Sequence, residues 1–91
     1  MLDDLFATIE QRKRDLPEDS YTASLFTHEK GEDAALEKLG EETTEAILAA
    51  KDGDDDALAA ESADLLYHLL VVLAANDLTV ADLRAELRRR F

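Results

Sequence analysis

With 91 residues the chain has room for one domain and not two, so every functional group must come from one small core and its edges. A hydrophobic share of 46% with only 5% aromatics and a single proline excludes a turn-rich strand architecture and favours helices. Acidic residues number 22 against 10 basic ones, a formal net charge of −12 with a pI near 4.3, which excludes nucleic acid as a partner because a polyanion gains nothing from such a surface.

Leu2, Leu5, Phe6 and Ile9 recur at three- and four-residue spacing, which predicts an amphipathic helix ending before Pro17. This opening stretch, Met1 to Arg14, has aspartates where a secretion signal needs basic residues. No apolar stretch is expected to span a membrane, and a cytoplasmic location is expected. Glu18 to Thr22 reads as a polar loop, Thr22 to His28 as a short helical segment, and Gly31 as its left-handed stop. From Asp33 to Lys51, the spacing of Leu36, Leu39, Thr43, Ala46, Ile47 and Ala50 describes one mostly apolar helical face, with Gly53 as the stop.

Asp54, Asp55 and Asp56 suit the N-terminal end of the next helix, expected from about Ala57 to Ala75. Between Leu65 and Ala75 that helix is apolar on nearly every side, broken only by Tyr67 and His68, so it belongs at the centre of the assembly. Thr79 with Asp82 resembles a capping box, and Val80, Leu83 and Leu87 predict a last short helix on which Arg88, Arg89 and Arg90 meet the C-terminal end of the dipole. The fold class is all-α, one domain over 1–91. With no cysteine there is neither disulfide nor thiol chemistry, and the acidic surplus fits a salt-adapted source.

Two helices each present an acidic pair. Glu42 and Glu45, beside Glu41, are three apart on one helix; Glu61 and Asp64 repeat the spacing on the next. A Glu-x-x-Glu is cheap in so acidic a chain and by itself describes a solvated face. The second pair carries more weight, because with His68 it makes a polar stripe on the most apolar helix, where carboxylates need cations or donors. If the pairs face each other, carboxylates about 5 Å apart repel by roughly 3 kcal/mol at an effective dielectric near 20. A hard divalent cation removes that repulsion, and oxygen-only ligands favour magnesium or manganese over zinc. Such a site suits phosphoryl-transfer hydrolysis with water as nucleophile. A carboxylate-bridged di-iron site normally wants Glu-x-x-His, whereas His68 lies four residues after Asp64. There is no Gly-rich phosphate loop, zinc-ligand spacing or Ser or Cys nucleophile motif.

The runs SYTASL at Ser20–Leu25, KLGEE at Lys38–Glu42, AAKDG at Ala49–Gly53 and ESADLLYH at Glu61–His68, together with Glu45, resemble the phosphoribosyl-ATP pyrophosphohydrolase family of histidine biosynthesis. The similarity extends from Leu2 to Arg90. It implies an all-α nucleotide pyrophosphohydrolase fold whose motifs, here Glu41, Glu42, Glu45, Glu61 and Asp64, bind magnesium. The implied reaction is hydrolysis of phosphoribosyl-ATP to phosphoribosyl-AMP and pyrophosphate. One departure is a longer connection at Thr27–Lys30, which leaves His28 and Lys30 unassigned.

Among these residues, Glu42, Glu45, Glu61 and Asp64 are the expected metal ligands, with Glu41 an auxiliary ligand or general base and Glu42 placed in the catalytic set. Lys38 and Lys51 are the expected phosphate contacts, with Ser20, Tyr21 and Thr22 from the matching loop. Lys38 has an alternative as an i,i+4 ion pair with Glu42, Lys51 as a helix C-terminal charge, and Tyr67 and His68 as core residues with satisfied polar tips. Two other functions compete: a housekeeping hydrolase of nucleoside triphosphates on the same metal motifs, and a non-enzymatic acidic helical module. A homodimer is expected, because so few other helices are available to cover the apolar third main helix.

Overall fold

The structure, a computed structural model, describes residues 1–91 as five helices and no strand. Helix α1 (Leu2–Asp15) turns Phe6 and Ile9 inward and stops at Leu16, whose backbone is left-handed at φ 49° and whose N–H closes on the Arg12 carbonyl. Pro17 follows directly and cannot continue the helix. Helix α2 (Tyr21–Thr27) begins one residue before the expected segment because the Ser20 hydroxyl accepts the Ala23 N–H at 3.2 Å. It ends where His28 turns extended. Gly31, expected to stop this helix, instead closes the following turn at φ +62°, its N–H donating to the His28 carbonyl at 2.8 Å.

Helices α3 (Asp33–Asp52) and α4 (Asp55–Ala75) form a hairpin and the largest packing interface of the molecule. The corner rests on Gly53 at φ +70°, a conformation a side chain resists, and on Asp54, which caps α4 by accepting the Ala57 N–H at 3.0 Å. Capping by Asp54 draws Asp55 and Asp56 into the first turn, so α4 starts two residues before Ala57. Helix α5 (Val80–Arg90) starts on the expected Thr79–Asp82 capping box. In its last turns Arg89 and Arg90 pair with Glu86. Across the bundle Arg84 clasps Asp3 with two bonds of 2.7 and 2.8 Å, and Lys13 reaches the Ala74 carbonyl and Asp77.

The core comprises Phe6, Ile9, Leu25, Ala35, Leu70, Val71, Ala74 and Val80. The buried seam of α3 differs from the expected face: Ala35, Glu42 and Ala49 face α4, with Leu39 and Ala46 partly covered, while Leu36 and Ile47 are 43% and 55% exposed. The alanines allow close approach of α4, and one neighbouring helix covers only one of two adjacent seams. Helix α4 is correspondingly half-clad: Leu70, Val71 and Ala74 are buried, but only 22% of its most apolar stretch is. By length and composition α4 is apolar enough to cross a membrane, contrary to the expectation, although a core helix meets the same test.

Candidate active site

The α3–α4 hairpin sets Glu42 and Glu45 opposite Glu61 and Asp64. Glu61 registers the juxtaposition. Its carboxyl holds its proton above the ordinary value of 4.5, first because it pairs with the Glu45 carboxyl, then because of partial burial, and then because of the charges of Glu45, Asp64 and Glu42. The four expected ligands are therefore one electrostatic cluster, graded from buried Glu42 through half-buried Glu61 to exposed Glu45 and Asp64. As the side chains stand, no three acidic or histidine groups converge closely enough to hold an ion.

The donor set nonetheless fits a hard cation. All four groups are carboxylates, they repel one another, and Glu42 Oε1 is fully buried with no well-aligned hydrogen bond. Its near neighbour is His68 Nδ1 at 2.5 Å, a nitrogen whose hydrogen bond goes to the Asp64 carbonyl at 3.0 Å, one turn back on α4. The other ring nitrogen, Nε2, meets the Tyr21 hydroxyl at 3.1 Å. Beside it, Thr22 and Tyr67 join hydroxyl to hydroxyl at 2.5 Å, and the Tyr67 and His68 rings stand edge-on with centroids 4.8 Å apart. Burial raises the Tyr67 phenol above its ordinary value, against the opposing bond to Thr22.

Glu41 projects away from this seam. It pairs with Lys38 at 3.5 Å, so the expected alternative partner of Lys38, Glu42, is replaced by its neighbour because Glu42 is turned inward. The Glu41 charge and hydrogen bond, then the Tyr21 phenol, raise Lys38 above the usual ammonium range. Lys38, Glu41, Tyr21, Ser24, His28 and Glu37 line a cavity of about 230 Å³ between α2 and α3. Lys51 stands apart, exposed in the last turn of α3, about 9 Å along the axis beyond Glu45.

The model of the phosphoribosyl-ATP pyrophosphohydrolase family matches residues 2–91. The chain belongs to this family. Within it, a phosphoribosyl-ATP pyrophosphatase of Haloarcula marismortui is 69% identical over 90 residues, covering 99% of this chain and 92% of the relative. Relatives of the same name from Natronomonas pharaonis and Roseobacter denitrificans are 69% and 55% identical, covering 99% and 98% of this chain and 89% and 83% of their own lengths. The acidic surplus is in keeping with the halophilic archaea among these sources.

In this chain, the family-matching segment at Ser20–Leu25 lies against the carboxylate hairpin through Tyr21 and Thr22, while Ser20 serves as a helix cap. His28 and Lys30 shape the connection before α3: His28 Nδ1 accepts the Lys30 N–H at 3.1 Å, and Lys30 pairs with Glu37 at 3.2 Å. The expected alternative for His68, a core residue with a satisfied polar tip, holds, since it is buried with both ring nitrogens in contact, and it is also the side chain that joins α2 to Glu42. Its signal was present in the sequence: a histidine one turn beyond Asp64 on an otherwise apolar run.

Proposed function

We propose that the chain hydrolyses phosphoribosyl-ATP to phosphoribosyl-AMP and pyrophosphate, the second step of histidine biosynthesis, in a magnesium-dependent reaction. The observation that carries the substrate is the family match over 2–91 with relatives of that name at 69% identity. The metal reading is supported by the elevated Glu61 carboxyl and the unsatisfied buried oxygen of Glu42. Glu42, Glu45, Glu61 and Asp64 would hold the ion, with manganese an acceptable substitute. Bound there, magnesium would offset the negative charge that builds on the departing pyrophosphate and would make water a better nucleophile at neutral pH.

The remaining steps belong to the chain itself. Lys38, kept cationic by Glu41, meets a phosphate, and Lys51 offers a second cation from the end of α3. Ser20 and Thr22 orient the nucleotide from the start of α2, which Tyr21 holds in place through His68. Glu41, paired with Lys38 and turned away from the four carboxylates, holds that ammonium toward the phosphate side of the site rather than serving the attacking water. The working form is a homodimer in the cytoplasm, in which a second copy covers apolar side chains that α3 and α4 leave exposed, among them Leu36, Ile47 and Leu66.

The test is direct. Chain stripped with chelator and given phosphoribosyl-ATP should release pyrophosphate and phosphoribosyl-AMP only after magnesium is restored. Undiminished turnover in chelator, or release of single phosphate, would overturn the reading.

A further inference from the structure

Tyr21, His68 and Glu42 form an unbroken line of polar contacts from the start of α2, through a buried imidazole, to the innermost carboxylate of the acidic cluster. We propose that His68 is a positioning residue: its Nδ1 side aims Glu42 into the cluster, and its Nε2 side ties that aim to the seating of α2. This inference rests on the reading of Glu42 as a metal ligand.

A glutamate has three rotatable bonds, and the other buried residues of its own helix, Ala35 and Ala49, offer no polar group to restrain it. The one side chain within hydrogen-bonding distance of its buried oxygen is His68, 5% exposed and 2.5 Å away. The ring is in turn held on several sides. Its Nδ1 also faces the Asp64 carbonyl at 3.0 Å, and the rings of Tyr67 and Tyr21 stand edge-on to it with centroids 4.8 and 6.0 Å away. A flip of the ring would forfeit both nitrogen contacts at once. With a proton on Nδ1, that N–H donates to the Asp64 carbonyl and stands beside Glu42 without aligning on it, and the Tyr21 hydroxyl donates to Nε2. Partners that fix the orientation of a ligand commonly matter to metal affinity nearly as much as the ligand does.

Mere filling of the seam would depend on side-chain volume, whereas positioning depends on which nitrogen is kept. His68→Asn retains an amide N–H near the Nδ1 position and abandons Tyr21. His68→Gln reaches the Nε2 position and abandons Glu42. Magnesium binding to the full chain, measured by calorimetry without nucleotide, should weaken about 10- to 100-fold in His68→Gln and stay within about threefold of wild type in His68→Asn. His68→Asn and Tyr21→Phe should each raise KM for phosphoribosyl-ATP more than they lower kcat. The double variant should be no worse than His68→Asn alone, since both changes cut the same line.

Equal magnesium affinity in the two His68 variants overturns the proposal. Should His68→Gln fail to fold, judged by its helical signal, the Tyr21→Phe and His68→Asn pair decides, because additive KM effects also overturn it. Glu42→Gln separates the two levels. If it binds magnesium like wild type, the ligand reading itself fails; if it loses magnesium while His68→Gln keeps it, only the positioning role falls.

Discussion

Replacing Glu42 with Gln removes one charge from the seam between α3 and α4 and almost no volume, so its effect reports on what that charge does to the metal-free fold. Glu42 is 9% exposed, its Oε1 lacks a well-aligned hydrogen bond, and its charge adds to those pressing on Glu61. Leaving a buried polar atom unsatisfied costs about 1–3 kcal/mol, more for a charged one. Gln keeps a polar oxygen in the seam and sheds only the charge, so at roughly 4–8 °C per kcal/mol for a domain of this size Glu42→Gln should melt above wild type in chelator by on the order of a few °C. Magnesium should narrow or reverse that gap: at 100 times Kd the wild type gains about 2.7 kcal/mol, and the variant, short of one ligand, gains little. The assay is thermal unfolding followed by the helical circular dichroism signal, at one protein concentration, with chelator and with magnesium, alongside turnover of phosphoribosyl-ATP, which should be lost. A variant that melts below wild type in chelator would mean that the Glu42–His68 contact stabilises the metal-free fold, and the reasoning from an uncompensated buried charge would be wrong.

Replacing Glu61 or Asp64 with Ala should abolish turnover while the helical signal survives; near-wild-type activity of either variant at saturating magnesium would remove these residues from the metal site. Because the folded chain holds the Glu61 proton more tightly than the unfolded chain does, its contribution to stability is present below the ordinary value of 4.5 and is lost as pH rises through the elevated one. Melting in chelator should fall across that window and flatten when magnesium is added, and a slope unchanged by magnesium would count against a cation among these carboxylates. Light scattering over a dilution series should report a dimer that Ile47→Lys with Leu66→Lys converts to monomer, whereas a folded, active wild-type monomer at high dilution would remove the need for a second copy.

The features legible in the sequence were those fixed by near neighbours. Pro17 bounded α1, Gly53 stopped α3, and Thr79 with Asp82 opened α5, because each depends on residues within one turn. The acidic pairs were legible for the same reason, and the hairpin sets Glu42 and Glu45 against Glu61 and Asp64. What failed was the choice between two seams of α3. Of the expected stripe Leu36, Leu39, Thr43, Ala46, Ile47 and Ala50, only Leu39 and Ala46 border the covered seam of Ala35, Glu42 and Ala49, and periodicity cannot say which of two overlapping stripes the same chain covers. The structure buries the seam of smaller residues, where α4 approaches, and this turns Glu42 inward and leaves Glu41 to pair with Lys38. His68 was opaque because its partners lie 47 positions back on α2 and across the hairpin on α3, separations that no local spacing encodes.

A competition experiment tests the central claim most directly. Phosphoribosyl-ATP, ATP and deoxynucleoside triphosphates are mixed at equal concentration with the chain and magnesium, and the products are resolved over time. The account predicts that phosphoribosyl-ATP is consumed far ahead of the others, with phosphoribosyl-AMP and pyrophosphate formed in equal amounts. Preferential consumption of the deoxynucleotides would contradict it and assign the carboxylate hairpin to a housekeeping nucleotide hydrolase instead.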